Sequence, residues 1–282
     1  MKSFSQKIAL ITGAASGIGR ALAIALAKEG CHLALSDIHE EGLAETKSLL
    51  NTEVRCTTHI LDVADKEGVY ALASDVMQAH GAVDIVINNA GVAIVNGEIR
   101  ELSYQDFEWV MNINFWGMVY GTNAFLPHLM ARDEAWLVNV SSIFGIISFP
   151  AQAAYNSSKF AIRGFTEAIR QDLADTSVNI SCVHPGGIDT SIVVNARGYS
   201  DEEQRKEGAF EFKKVAKTSP AKAAQVIIKG MKRGKKRILI GNDARFLDKI
   251  QRLFPSAYTR FIKGFSGISE EVEKRETAAV TH

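Results

Sequence analysis

Cysteine is scarce in this chain. Cys31, Cys56 and Cys182 are odd in number, far apart and outside any CxxC pair or Cys/His cluster. That pattern excludes a disulfide framework and reads as isolated buried thiols in a reducing compartment. The seven histidines form no ligand cluster either, so no metal site is expected. No apolar run is long enough to span a bilayer, and the one in MKSFSQKIALITG is too short for a signal-peptide core. A cytoplasmic protein is the expectation. Net charge is lacking as well: 32 basic residues balance 32 acidic ones, so nothing draws the whole chain to a nucleic acid. Internal repeats and low-complexity linkers are absent.

What is there is ordinary globular material. Of 282 residues, 46% are hydrophobic and 23% charged, enough for a sizeable core without staples. Short apolar runs alternate with amphipathic segments. Strands are expected at Lys7–Thr12, His32–Ser36, Arg55–Leu61, Val83–Asn88, Ala135–Val140, Val178–Val183 and Arg237–Ile240. Helices are expected over Gly19–Lys28, a charged stretch ending at Leu50, Lys66–Gln78, Phe107–Met130, Ala153–Leu173 and Pro220–Lys232. The last has Ser219 as N-cap and Pro220 at its first position. Continuous apolar strands between helices predict an α/β fold, a doubly wound, seven-stranded parallel sheet of Rossmann type with helices on both faces. Ligands are then expected at the carboxyl ends of the strands. Ser191–Thr218 has no clean period and much charge, and so long a connection is often a lid. The expected division is one domain over residues 1–241 and a C-terminal extension over 242–282, helical and packed on the domain or a partner. From Arg205 to Lys263 there are 17 basic residues against 4 acidic ones, so that end is basic.

The glycine run Thr12-Gly13-Ala14-Ala15-Ser16-Gly17-Ile18-Gly19 lies between the first strand and the first helix. Glycine there permits a sharp turn and close approach of a pyrophosphate to a helix N-terminus, although many turns need glycine for less. Asp37 ends the second strand, where a carboxylate can accept from adenosine ribose hydroxyls and repel a 2′-phosphate. No Arg or Lys occupies positions 14–16 or 38, and Arg20 lies inside the helix, so NAD is favoured while NADP stays open. The other reading of Asp37 is a solvated strand-end charge. Asp62, with Val63 beside it, is placed to meet an adenine edge. Asn88-Asn89-Ala90-Gly91 closes the fourth strand, as a cofactor wall or simple turn chemistry. Tyr155 and Lys159 stand four apart on one helix face. A free tyrosine titrates near about 10, and a neighbouring ammonium lowers that value toward useful proton exchange. Ser142 follows the fifth strand, where its hydroxyl could orient a substrate oxygen.

Together these residues resemble the short-chain dehydrogenase/reductase family. TGAASGIG, NNAG, the serine ahead of Tyr-xxx-Lys, and PGGIDT at Pro185–Thr190 stand in that family's order and spacing. The resemblance covers Gln6 to Thr190 strongly and Ser219 to Gly241 weakly. It implies that Ser142 positions the substrate oxygen and Tyr155 is the general acid/base. Lys159 would lower the tyrosine pKa and hold the nicotinamide ribose, and Asn114, in NINFWG, would hold a water linking Lys159 to a proton relay. Cofactor contacts would come from Gly13, Ser16, Gly17, Ile18, Gly19, Asp37, Asp62, Val63, Asn89, Ala90, Gly91, Tyr155, Lys159, Pro185, Gly186, Ile188 and Thr190. The implied activity interconverts a secondary alcohol and a ketone with NAD, in a homodimer or homotetramer paired through the helices of Asn114 and Tyr155.

Two rivals stay in view: an NADPH-dependent carbonyl reductase, and a non-catalytic nucleotide-binding or membrane-associated interaction protein. Phe144, Ile146, Ile147, Phe149 and Ala151 would either line a lipophilic substrate pocket or serve packing. Arg245–Phe265, with Phe246, Leu247, Ile250, Leu253 and Phe254 at helical spacing among basic residues, would pack on the chain or a partner, close over the site, or lie on an anionic membrane. His184 is read as structural, and Lys232–Arg237 as a solvated surface run.

Overall fold

The computed structural model describes residues 3–50, 53–95 and 99–263, with side chains described as far as Arg260. Seven parallel strands form one sheet in the order β3-β2-β1-β4-β5-β6-β7. They are β1 (Ile8–Thr12), β2 (His32–Asp37), β3 (Cys56–Ile60), β4 (Ile85–Asn88), β5 (Ala135–Val140), β6 (Val178–Pro185) and β7 (Arg237–Ile240). Residues along β1 alternate between two cores, as a pleated strand requires. Ala9 and Ile11 join Leu33, Leu35, Ile87, Trp136 and Val138 on one face, beneath α1 (Gly17–Lys28), α2 (Glu40–Ser48) and α8 (Pro220–Lys232). Leu10 joins Ala34, Val86, Leu137 and Ile180 on the other, against α3 (Lys66–His80) and α5 (Gly117–Met130). Burial on both faces is why these strands read as unbroken apolar runs. The strand order reverses between β1 and β4, which opens a crevice at their carboxyl ends.

Three segments differ from the sequence expectation. The helix expected over Phe107–Met130 is α4 (Tyr104–Met111), a π-turn over Asn112–Trp116 and then α5. The hydroxyl of Ser103 caps α4 by accepting from Asp106 N, which starts the helix earlier than the apolar pattern does. Inside Ser191–Thr218 lies α7 (Glu202–Val215), none of whose residues is buried. With no buried stripe it carries no 3.6-residue apolar signal, and its end signals are the informative ones: Asp201 accepts from Gln204 N, acids fill the first turn and Lys213 and Lys214 the last. Arg245–Phe265 divides into α9 (Asn242–Leu253) and α10 (Tyr258–Lys263), with Pro255 between them; Phe265 and the rest of the 242–282 extension from residue 264 lie outside the described residues. Leu247 packs inward, whereas Phe246, Leu253 and Phe254 are exposed, so they do not form one apolar face.

The remaining long helix is α6 (Ala153–Asp172). Lys232–Arg237 is not a purely solvated run, because Lys232 pairs with Glu29 and Arg237 with the buried Asp248. Among the described residues no helix is long and apolar enough to cross a membrane. At α8, Ser219 Oγ accepts from Lys222 N at 3.2 Å. Ser219→Ala is expected to cost about 1 kcal/mol, read as a lower urea midpoint with an unchanged slope; an unshifted midpoint would remove the cap from the account.

Candidate active site

The turn after β1 is shaped for close approach. Gly13 (φ +67°) and Gly17 (φ +54°) lie in the left-handed region that favours glycine. A Cβ on Gly13 would meet Ala90 Cα at 2.8 Å, and one on Gly19 would run into the Gly13 carbonyl. Ser16, the N-cap of α1, makes no side-chain capping bond, so the first N–H groups of α1 have no side-chain cap at the crevice. Those N–H groups and the helix dipole suit a pyrophosphate. Thr12 Oγ1 accepts from Asn89 N at 3.0 Å and Ala90 N at 3.1 Å, tying the two sides of the crevice together. The Asn89 amide donates to the Thr12 and Gly13 carbonyls, so its side chain holds the turn.

Asp37, at the end of β2, accepts from Ala15 N at 3.0 Å and from His39 N at 3.1 Å, which fixes its carboxylate beside the glycine turn. The Arg20 guanidinium is engaged by Glu45, Thr46 and the Ala15 carbonyl. Asp62, two residues beyond β3, accepts from Ala64 N at 2.9 Å, and Val63 is buried where a Cβ on Gly117 would strike it. Glycine-turn residues, Asp37 and Asn89–Gly91 fit an adenine dinucleotide: left-handed glycines, an N-terminus without a side-chain cap and a pinned carboxylate coincide at one strand-end crevice.

On the other half of the sheet edge, Ser142 caps the 3₁₀ turn over Ile143–Gly145, its Oγ accepting from Phe144 N at 3.1 Å. Tyr155 and Lys159 project from α6, and the Lys159 ammonium lies 5.5 Å from the centre of the tyrosine ring. Lys159 is buried; its ammonium donates to the Val140 carbonyl at 3.3 Å, and among the described residues no ion pair holds it. Gly91 is the meeting point: a Cβ there would lie 3.1 Å from Asn114 Oδ1 and 3.3 Å from Lys159 Nζ. The Asn114 side chain is held on both atoms, accepting from Val92 N and donating to the Val92 carbonyl and Ser158 Oγ. Its π-turn is a local helix distortion of the kind often found at working sites.

Burial governs the titration here. It pushes Tyr155 up to about 12, a hydrogen bond with the Ser142 side chain pulling the other way, and it pushes Lys159 down to about 8. The expected lowering of the phenol by the ammonium is not what governs it: removal of the phenolate from water dominates, and the Ser142 side chain is what opposes it.

Ile146 and Ile147 are spent on packing with Ala244 of α9, while Phe144 and Phe149 stack at 5.4 Å, with Phe144 edge-on to Tyr155 at 6.1 Å. Ala151 (φ +56°) is exposed beyond them. A cavity of about 340 Å³ opens beside this loop, lined by Ile94, Leu102, Phe149 and Ala154 among others. A larger one, about 650 Å³, lies where Gly17 and Thr190 face α7; Ser142, Tyr155 and Lys159 do not line it. Ile188 is buried and bridges Thr218, and Thr190 packs against Gly17, so the segment after Pro185-Gly186 crosses the crevice.

His184 is structural, as the sequence reading has it, but sequence reasoning did not name its partner. Its Nδ1 hydrogen-bonds the Ser142 carbonyl at 3.0 Å, and burial holds its pKa down to about 4. It is therefore a neutral ring that fixes the backbone beneath Ser142. The available signal was its register: β6 pairs Val183 with Val140, which sets His184 next to the end of β5.

Residues 7–200 match the family model described as short chain dehydrogenase. Over 267 residues the chain is 44% identical to a Mycobacterium tuberculosis protein named as the oxidoreductase SadH, covering 93% of this chain and 96% of that one. A short chain dehydrogenase/reductase from Burkholderia phymatum, solved in complex with NAD, is 28% identical and superposes with a TM-score of 0.81 over 89% of this chain and 95% of its own. An alcohol dehydrogenase from the archaeon Thermococcus sibiricus, solved with 5-hydroxy-NADP, is 26% identical with a TM-score of 0.71 over 84% and 96%.

Proposed function

The chain belongs to the short-chain dehydrogenase family of oxidoreductases, and on that premise we propose that it interconverts a secondary alcohol and a ketone with a nicotinamide dinucleotide. The observation that carries this reading is a buried ammonium, Lys159, without a carboxylate partner among the described residues, on the same helix face as Tyr155 and 5.5 Å from the centre of its ring. An uncompensated buried cation is costly and persists where chemistry needs it.

A bound nicotinamide ring supplies the hydride acceptor or donor. Tyr155 exchanges a proton with the substrate oxygen, Ser142 donates a hydrogen bond to the same oxygen, and Lys159 stabilises the phenolate. Asn114, whose Oδ1 faces Gly91 as the Lys159 ammonium does, would hold a water linking Lys159 to a proton relay. Glycines of the β1 turn with Ile18, Asn89, Ala90 and Thr190 would hold the pyrophosphate and nicotinamide half, and Asp62 and Val63 the adenine. Asp37, flanked by Glu40 and Glu41 in the first turn of α2, favours NAD over NADP by repelling a 2′-phosphate. Phe144 and Phe149 beside Tyr155 favour a lipophilic substrate. Exposed Trp116, stacked on Tyr120, and exposed Phe160 support pairing of two copies through α5 and α6.

The direct test is the absorbance of reduced nicotinamide with a panel of secondary alcohols and ketones, using each cofactor in turn; no turnover with any of them ends the reading. A pH profile tests the proton chemistry. Ketone reduction needs Tyr155 as a phenol and Lys159 as a cation. With Tyr155 near 12 and Lys159 near 8, reductive kcat/KM is expected to be level below pH about 8 and to fall above it as the ammonium is lost. Oxidation is expected to climb with pH up to about 8, because a base is then required, and to level above it, where loss of the ammonium offsets the gain in phenolate. A reductive profile without a break near 8 would remove Lys159 from this role.

A further inference from the structure

We propose that Asp243, in the first turn of α9, is a positioning residue for the nicotinamide half of the cleft, its carboxylate clamping the Gly186–Gly187 turn at the end of β6. The inference rests on the dinucleotide reading above. Gly187 N donates to Asp243 Oδ2 at 2.7 Å. A Cβ on Gly186 would collide with that carboxylate, and so would one on Gly241, whose φ is +95°. Two glycines from different parts of the chain thus clear room for one side chain. On its other side the turn is backed by the end of α7: a Cβ on Gly187 would come within 2.8 Å of the Val215 carbonyl. Gly186 N donates to the Ile240 carbonyl at 2.9 Å, which sets the start of the turn but not its tip.

Helix α9 is itself held firmly enough to act as a clamp. Asp248, buried, pairs with Arg237 of β7, and Ala244 and Leu247 pack on Ile143, Ile146 and Ile147. Tyr258 OH accepts from Ser148 N at 3.0 Å. Those contacts belong to the loop that begins at Ser142 and sets Phe144 against Tyr155. One segment outside the sheet therefore touches both walls of the cleft, the Gly186–Gly187 turn and the Ser142–Phe149 loop. Both walls lie past their strand ends; there the Gly187 carbonyl still accepts from Thr218 N at 3.3 Å, which leaves the Gly187 amide to Asp243.

The test uses the full chain and two ligands, NAD and ADP-ribose, the latter lacking the nicotinamide. Asp243→Ala is expected to weaken NAD about tenfold while leaving ADP-ribose within about twofold, by calorimetric titration. Asp243→Asn is expected to recover most of the NAD affinity, since its amide oxygen can accept from Gly187 N. Unchanged NAD binding in Asp243→Ala overturns the clamp, and so does an equal loss for both ligands, which is what a merely structural role would produce. Hydrogen exchange of the Gly187 amide in the unaltered chain needs no variant to fold: protection is expected, and free exchange overturns the clamp. An unaltered chain that binds neither ligand overturns the dinucleotide reading itself.

Discussion

Tyr155→Phe is expected to lower kcat for hydride transfer roughly 1000-fold while leaving dinucleotide affinity nearly unchanged. The substitution removes one oxygen and keeps the ring, so the edge contact with Phe144 survives. What disappears is the only group in the proposed mechanism that exchanges a proton with the substrate oxygen. Positioned general acid–base catalysis contributes about 10²–10⁴ in rate, and the middle of that range is used here. Ser142 could still polarise the oxygen but has no base of its own: the imidazole of His184 bonds the Ser142 backbone carbonyl. Stability should change by about 1 kcal/mol, one hydrogen bond. Single-turnover rates and cofactor titration on the same preparation separate chemistry from binding. Activity within tenfold of the unaltered chain would mean that another residue moves the proton.

Asp37→Ser is expected to shift the ratio of NAD to NADP efficiency roughly 100-fold toward NADP. Its carboxylate is pinned by Ala15 N and His39 N, so it cannot swing away from an incoming 2′-phosphate. Losing a charge-assisted bond to the ribose and relieving a like-charge contact together amount to about 3 kcal/mol, or two powers of ten. Glu40 and Glu41 remain, so a complete reversal is not expected. The ratio of kcat/KM for the two cofactors measures this directly. A chain that already prefers NADP, or a ratio that does not move, would contradict the role given to Asp37.

These sites were legible to different depths. The β1 turn was readable residue by residue because its signals are local: a strand, glycines at set spacing, then a helix. Tyr155 and Lys159 were readable as a pair because four residues bring side chains to one helix face. The effect of burial on them was not, since it depends on Val140, Gly91 and Asn114, which other elements supply. Asp37 could be placed at a strand end, but not seen held by the amide of Ala15. α7 escaped notice because it buries nothing, and an exposed helix leaves only its end caps in the sequence. Asp243 had no signal at all, for its partner is a backbone amide 56 residues away.

Periodicity and glycine spacing by themselves determined the doubly wound sheet and the crevice, because a parallel strand buried on both faces and a tight phosphate turn each impose a pattern on consecutive residues. The tertiary structure alone decided that the phenol and ammonium are driven toward their neutral forms, that His184 anchors Ser142, and that α9 reaches both walls of the cleft. Such outcomes arise from desolvation and contacts between segments far apart in the chain, and no stretch of neighbouring residues encodes them.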